Sequence, residues 1–181
     1  MGVRVMEDEF EALVNYIAQK AQRGIWALIG NCGEGKPCNQ SCPAYNRCKQ
    51  RQWAEEFVLA SCQYLAQKYS VQKLQQILKW TFWVQNGCDL NIGIARQIEE
   101  LQKVFPQWML EPFIFYRSCG IGISATTTSK RLYPAIRAII RHTIKYHSQY
   151  KRLHEKVVLC KTHYALPQDI VQTITKHILE F

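Results

Sequence analysis

The sequence lacks the features that mark membrane, secreted and common nucleotide-binding proteins. No apolar run approaches the roughly 18 residues needed to cross a bilayer. The N-terminal segment carries Glu7, Asp8 and Glu9 and has no hydrophobic stretch typical of a secretory signal. Walker, Gly-x-Ser-x-Gly and His-Glu-x-x-His motifs are also absent. We therefore expect a cytoplasmic protein, or a nuclear one, without a membrane span.

The sequence also has little that would support catalysis. No two carboxylates are spaced as a general acid–base pair, and nothing in the spacing positions a cysteine against a histidine base. Cys160 and His163 have the spacing of metal ligands, but two residues alone make a weak site. We expect a binding protein rather than an enzyme.

Acidic residues are scarce in the C-terminal part of the chain. The whole sequence carries 23 Lys and Arg residues against 14 Asp and Glu residues, a net charge of +9. Residues 117–161 hold ten basic residues and one acid, Glu155, so this stretch alone has a charge equal to the total. A cationic segment this concentrated indicates a polyanionic partner.

Cysteine, by contrast, is abundant in one place. Four of the eight cysteines lie within 17 residues, in a loop at 30–50 that is rich in Gly, Pro and Asn. Such a loop cannot form a hydrophobic core, so a cross-link must hold it. A chain of 181 residues folds without disulfide staples, and cytosolic thiols stay reduced. A metal centre is therefore favoured over two disulfides or four unliganded thiols. Its predicted ligands are Cys32, Cys38, Cys42 and Cys48.

The spacing of these cysteines leaves the kind of metal centre open. Intervals of five, three and five residues depart from the short Cys-x-x-Cys knuckles of structural zinc sites. Iron–sulfur clusters accept more varied spacing, and Cys42 is followed by Pro43, as in some cluster motifs. We place a [4Fe–4S] cluster and zinc near parity, with the cluster slightly ahead. Either would serve as a structural or redox-sensing brace.

The spacing of apolar residues predicts an all-α protein, one domain over 1–181 with five or six helices. The cysteine loop separates helices 1 and 2, Ser70 is a predicted N-cap, and Asp89 or Asn91 would cap the fourth helix. The stretch 112–125 predicts one short strand or an irregular segment. The predicted helices cover 6–23, 50–69, 71–84, 92–105, 129–158 and 166–179. Residues predicted to face the core in the first three are Met6, Phe10, Leu13, Val14, Ile17, Ala21, Trp53, Ala54, Phe57, Ala60, Tyr64, Leu65, Val71, Leu74, Ile77, Leu78, Thr81 and Phe82.

The long helix predicted at about 129–158 has two faces. At 100° per residue its apolar positions share one side and its cations the other. An ordinary exposed face mixes charges, because like charges four residues apart repel. An unrelieved cationic row therefore favours phosphates as its partner. The apolar positions are Leu132, Ile136, Ile139, Thr143, Tyr146, Tyr150, Leu153 and Val157. The predicted nucleic-acid-binding residues are Lys130, Arg131, Arg137, Arg141, Lys145, Arg152 and Lys156.

These patterns favour an accessory protein that binds DNA or RNA, with a protein partner in a larger nucleoprotein assembly. Two alternatives stay open: an iron–sulfur redox or electron-transfer subunit whose basic face docks an acidic partner, and a protein-interaction adaptor without nucleic-acid binding. Exposed aromatic residues would suit base stacking or a protein partner, although core packing is their commoner fate. The candidates are Trp80, Trp83, Trp108 and Tyr116.

The cysteine quartet gives the first testable prediction. We expect freshly prepared, reduced protein to contain one metal centre, and Cys42→Ser to lose it and destabilise the surrounding region, because formation of such a site is coupled to folding. Cys119→Ser, which removes a thiol outside the quartet, should keep the metal. Elemental analysis checks both variants, and absorbance near 400 nm distinguishes an iron–sulfur cluster from zinc. Protein without iron or zinc, or with two disulfides joining the quartet, would contradict the prediction.

Overall fold

A computed structural model describes residues 2–21, 49–117 and 122–160, with side chains in 5–21, 50–117 and 122–153. These residues are predominantly helical, which confirms the all-α prediction for the part of the chain described. The cysteine quartet and the helix predicted at 166–179 lie outside it. None of the helices within these ranges is long and apolar enough to cross a membrane. The helices are α1 (Gly2–Lys20), α2 (Lys49–Lys68), α3 (Val71–Gln85), α4 (Ile94–Gln102), α5 (Gln107–Leu110), α6 (Ala125–Lys145) and α7 (His147–Cys160).

Helix α6 lies at the centre of the fold and packs against α1, α2, α3, α4 and α7. Its predicted apolar stripe is confirmed as far as Leu153 in α7, and the side chain of Val157 lies outside the described residues. Buried apolar residues from all the longer helices join this stripe in one hydrophobic cluster. The buried residues of the predicted stripe are Leu132, Ile136, Ile139, Thr143, Tyr146, Tyr150 and Leu153.

The single long helix predicted at 129–158 is in fact two helices. Helix α6 begins at Ala125 after Ser124 and ends at Lys145, and Tyr146 leaves the helical conformation with φ −117° and ψ 31°. The Tyr146 hydroxyl donates to Glu9 Oε2 at 2.5 Å, which ties the break to α1. The break lets α7 turn and pack along α2. A helical wheel cannot detect it, because the buried stripe continues across the break.

The first three helices largely follow their predicted patterns. All six predicted core residues of α1 are buried. Ser70 caps α3 by accepting a hydrogen bond from the Lys73 N–H at 3.1 Å, and Gly87, with φ +83°, follows the end of that helix. Two predictions of core residues are wrong: Ala60 is exposed, and Phe82 is 45% exposed. In α2 the contacts with α1, α6 and α7 bury other sides of the helix.

The segment between α3 and α6 is less regular than predicted. Cys88, Asp89 and Asn91 have φ values of 53°, 57° and 53°, so this stretch forms a turn, and α4 starts after Gly93 rather than after Asp89 or Asn91. The region 112–125 contains a short 3₁₀ helix, Glu111–Phe113, and one antiparallel bridge between Tyr116 and Ile123. The predicted irregular segment is thus confirmed where it is described.

A small polar cluster lies inside the apolar core, between α2, α6 and α7. The His142 Nε2 atom and the Tyr150 hydroxyl are hydrogen-bonded at 2.7 Å. Burial lowers the pKa of His142 to about 4 and raises the pKa of the Cys62 thiol to about 12. At neutral pH the imidazole is therefore uncharged and the thiol protonated, which suits packing rather than nucleophilic chemistry.

This cluster predicts acid sensitivity. As pH falls below 6.5, the ordinary pKa of histidine, His142 becomes protonated in the unfolded chain. In the folded protein it stays neutral until about pH 4. The free energy of unfolding should therefore fall by up to about 3 kcal/mol between about pH 7 and pH 4. The lowered pKa of Glu9, caused mainly by its hydrogen bond from Lys145, adds a loss of the same sign in the acidic part of this range. Denaturant unfolding at several pH values measures the total.

The variant His142→Phe tests the assignment, because it removes the titrating ring and leaves a similar volume. It should flatten the pH dependence between about pH 6.5 and pH 4. His147→Gln is the control: that ring is half-buried and hydrogen-bonded to the Tyr69 carbonyl oxygen at 2.7 Å, outside the cluster. An unchanged slope in His142→Phe would mean that another group causes the acid loss.

Candidate functional site

The predicted binding residues do not form one continuous exposed row. Lys130, Arg141, Lys145 and Arg152 are exposed, Arg131 is half-buried, and Arg137 is buried. The side chain of Lys156 lies outside the described residues. The structure therefore divides the predicted row into cations with different surroundings, and each surrounding indicates a different role.

Arg131 caps a helix. Its Nη1 atom donates to the carbonyl oxygens of Gln19 at 2.9 Å and Lys20 at 3.5 Å, at the C-terminus of α1. Its guanidinium also lies 5.0 Å from the centre of the Phe115 ring. The last carbonyls of a helix lack partners within the helix, and positive charge is favourable there. Arg131 thus joins α1 to α6, which gives it a structural role, while its predicted phosphate contact stays a prediction.

Lys145 is paired with an acid. Its Nζ lies 2.5 Å from Glu9 Oε1 in α1. Hydrogen bonds from Lys145 and then from Tyr146 lower the pKa of Glu9, and the same contact raises the pKa of Lys145. The charge of Lys145 is therefore largely matched within the fold. Sequence spacing could not reveal this, because the two partners are 136 residues apart.

Arg137 is the residue whose surroundings differ most from the prediction. Only 8% of it is exposed, because α3 covers the side of α6 that the helical wheel assigned to solvent. Its Nε donates to Thr81 Oγ1 at 3.1 Å and its Nη2 to Gln85 Oε1. Its guanidinium stacks 3.6 Å from the centre of the Phe82 ring and 5.2 Å from that of Tyr133.

The partners of Arg137 are all neutral. Among the described residues no carboxylate oxygen lies within 4.0 Å of its guanidinium. Burial lowers its pKa, as does the neighbouring charge of Arg141, yet an arginine keeps its proton in proteins. A buried charge ordinarily has an opposite charge beside it. Here two hydrogen bonds and two aromatic rings hold a cation whose charge stays unmatched by the described part of the fold.

Further hydrogen bonds fix the position of these partners. Thr81 Oγ1 donates to the Leu78 carbonyl oxygen at 2.6 Å, and Gln85 Nε2 donates to Ser129 Oγ at 3.4 Å. Gln85 thus contacts both Ser129 and Arg137 in α6. Thr81, one turn earlier in α3, contacts Arg137, which is the later of these two residues in α6. These contacts indicate that α3 and α6 run antiparallel, and they hold the guanidinium in one orientation.

Around Arg137 the two helices form a surface that we call the basic face. Arg141 follows Arg137 by one helical turn and Lys130 precedes it by two, so the three share one side of α6. On α3, exposed Lys79 and half-exposed Phe82 are one turn apart. Neither α3 nor α6 contains an Asp or Glu residue. The basic face consists of Lys79, Phe82, Lys130, Arg137 and Arg141.

Three of the four predicted exposed aromatic residues are indeed exposed. Trp83 is 43%, Trp108 44% and Tyr116 61% exposed, while Trp80 packs against the core. Sequence reasoning missed Phe82, which it assigned to the core. The signal that could have identified it is its position beside Trp83, about 120° from the centre of the stripe formed by the buried residues of α3, which are Leu74, Ile77, Thr81 and Val84.

The predicted metal ligands lie outside the described residues. Within the described ranges no group of three or more His, Cys, Asp or Glu side chains is arranged to hold a metal ion. Cys62 and Cys88 are both buried free thiols. The quartet of the cysteine loop therefore stays a prediction from sequence.

No family model, curated protein or solved structure matches this chain significantly. Function is therefore inferred from its own residues, and the basic face is the arrangement in the described structure with the most specific chemistry.

The surroundings of Arg137 lead to a test that separates a structural from a binding role. Arg137→Met keeps much of the packing on Phe82 and removes a buried charge without an acidic partner. Replacing a buried ion pair by apolar residues is often neutral, and here the substitution leaves no acid unpaired, so we expect a change in unfolding free energy within about 1 kcal/mol. Inorganic polyphosphate should raise the melting temperature of the wild type through preferential binding to the folded state, and should raise that of Arg137→Met less.

Arg131→Met is the matched control, because it removes an arginine from the same helix. It should lower stability by about 1 kcal/mol through loss of the α1 cap, while keeping the full response to polyphosphate. Thermal unfolding with and without polyphosphate measures both effects. A large loss of stability in Arg137→Met with an unchanged polyphosphate response would assign Arg137 to the scaffold alone.

Proposed function

We propose that this protein is a nucleic-acid-binding accessory protein whose basic face contacts the phosphate backbone of DNA or RNA. The observation that carries the proposal is the unmatched charge of Arg137. The fold matches the charges of Arg131 and Lys145 internally, with helix carbonyls and with Glu9. At Arg137 it provides neutral oxygens and an aromatic ring instead. Because Arg137 is only 8% exposed, a phosphate would bind at the exposed Lys130 and Arg141 beside it and would supply the missing negative charge through space.

The dimensions of the basic face suit a polymer better than a single small anion. Lys130 and Arg141 are eleven residues apart in α6, roughly 16 Å at 1.5 Å per residue. That distance corresponds to roughly five nucleotide steps at 3.4 Å along a strand. Lys79 adds a cation from the neighbouring helix. Several phosphates along one backbone could therefore be contacted together, and their counterions released.

The cysteine loop has a structural role in the proposed function. Arg131 binds the carbonyl oxygens of the last turn of α1, so the chain leaves α1 toward the cysteine segment close to the N-terminal part of α6. We propose that Cys32, Cys38, Cys42 and Cys48 hold a [4Fe–4S] cluster or zinc, and that this centre stabilises the connection between α1 and α2. This part of the proposal is supported by sequence alone.

A second surface favours a protein partner within an assembly. Trp108 is 44% exposed and meets Phe57 and Tyr64 edge-on, with ring centres 6.0 Å and 6.1 Å apart. Trp53 stacks on Phe57 at 4.8 Å. An exposed tryptophan that packs on other aromatic side chains is typical of the centres of protein interfaces. This observation supports the role of an accessory subunit and also the alternative of an adaptor or redox subunit docked to another protein.

Salt dependence of binding tests the basic face. We expect affinity for a DNA or RNA oligonucleotide to fall as salt rises, with a log–log slope of about −3 if three to four phosphates are neutralised. The double variant Lys130→Gln, Arg141→Gln should reduce the magnitude of that slope by about two without changing sequence preference. Both side chains are exposed, so the fold should survive. Fluorescence anisotropy titrations at several salt concentrations measure the slopes.

A control with the same change in net charge distinguishes the face from the overall charge. Lys68→Gln, Lys103→Gln removes two exposed lysines elsewhere, one beside Tyr64 and one paired with Glu100. This variant should keep the wild-type slope. Equal losses in both double variants would mean non-specific attraction by net charge. If only capture of a protein partner is lost when the basic face is changed, the adaptor or redox interpretation replaces this one.

A further inference from the structure

We infer that the basic face binds single-stranded nucleic acid, with an unpaired base stacked on Phe82. The inference rests on the proposed function and narrows its ligand class. A face that used only phosphates would need cations alone, yet this one has an aromatic ring at its centre that is 45% exposed. Burial of a Phe side chain is ordinarily favourable, so half-exposure beside a stable core leaves apolar area for a ligand to cover.

The ring of Phe82 is held in place from behind. The Arg137 guanidinium lies 3.6 Å from its centre, and the hydrogen bonds to Thr81 and Gln85 hold that guanidinium in turn. A base on the open side of the ring would complete a stack of cation, ring and base. Such stacking is tolerant of sequence, because every base offers a π face. A rigid ring also loses little conformational freedom when it binds.

The surrounding charges favour the same arrangement. Lys79 precedes Phe82 by one turn of α3, and Arg141 follows Arg137 by one turn of α6. The ring therefore lies between cations from two helices, where the phosphates on either side of a stacked base could be contacted. Phosphate grooves interleaved with aromatic platforms are typical of proteins that bind single strands.

Trp83, though similarly exposed, is less suited to this role. Its Nε1 donates to Asp89 Oδ2 at 3.0 Å, so a carboxylate lies beside its ring. That negative charge would repel the backbone of a strand stacked there. Trp108 is also exposed, but it lies in α5 against the aromatic residues of α2 and has no part in the basic face. Tyr116 is 61% exposed, but its hydroxyl donates to Glu111 Oε1 at 3.3 Å, so a carboxylate lies near that ring as well. These differences single out Phe82 and supply a control.

Duplex nucleic acid does not explain an exposed ring at this position equally well. The faces of paired bases are covered by their neighbours, so a duplex would offer the ring only groove edges, unless it was unstacked at an energetic cost. An unpaired base can leave the stack freely. The inferred ligand is therefore a strand of DNA or RNA that is already single-stranded.

The experiment compares three ligands of equal length: a thymidine oligonucleotide, an abasic strand with the same number of phosphates, and a duplex. Wild-type protein should bind the thymidine strand about tenfold more tightly than the abasic strand, since stacking adds to equal phosphate contacts. Phe82→Leu should erase this difference and leave the salt slope unchanged. Trp108→Leu should preserve it, and circular dichroism checks that both variants are folded.

The other outcomes separate this inference from the proposed function. Equal affinity for thymidine and abasic strands in the wild type would overturn base stacking while leaving phosphate binding in place. Tighter binding to the duplex would do the same. Competition by polyglutamate as effective as that by the thymidine strand would indicate a surface for acidic proteins and overturn both. Salt-independent or undetectable binding of every nucleic acid would overturn the proposed function itself.

Discussion

The fold depends on enclosing α6, a helix that carries five cations, on nearly all sides. Helices α1, α2, α3, α4 and α7 all pack against it, and ten of its residues are buried. Cations inside such a bundle must either reach solvent or find partners, because an unsolvated charge is costly. Arg131 and Lys145 find partners in α1, and Lys130 and Arg141 reach solvent. The Arg137 guanidinium is largely shielded from solvent and has only neutral partners, so it is the cation that best indicates a site for an external anion.

The contacts that enclose α6 also explain which parts of the fold could be read from sequence. A helical wheel assumes one buried side, and it correctly identified the stripe from Leu132 to Leu153 because that stripe faces the core throughout. It failed at Arg137, where a second neighbour, α3, covers the opposite side. Neither the Lys145–Glu9 pair nor the Arg131 cap could be read, since their partners are more than one hundred residues away in sequence. Signals that depend on residues close in sequence were read correctly, such as the N-cap of α3 at Ser70.

The candidate site shows the same division between local and long-range information. Charge counting located the cationic segment, and spacing placed Arg137 and Arg141 one turn apart. Neither charge counting nor spacing could identify the other half of the site, because Lys79 and Phe82 belong to α3 and come close to α6 only in the folded protein. The structure adds Lys79 and Phe82 to the cations predicted along one helix, while the predicted nucleic-acid contacts themselves stay predictions. The cysteine quartet lies outside the described residues, so its metal centre stays a prediction from spacing alone.

The partners of the cations in α6 separate those with a structural role from the one proposed to bind a ligand, because chemically similar cations have different surroundings in the fold. Where a cation serves packing, a partner with negative or partial negative charge is supplied from α1. At Arg137 an acid at position 81 or 85 would have matched the charge at contact distance, and the chain has Thr and Gln there instead. A carboxylate would form a self-contained ion pair and compete with any external anion. Neutral oxygens orient the guanidinium without cancelling its field, which is what a site for phosphates requires.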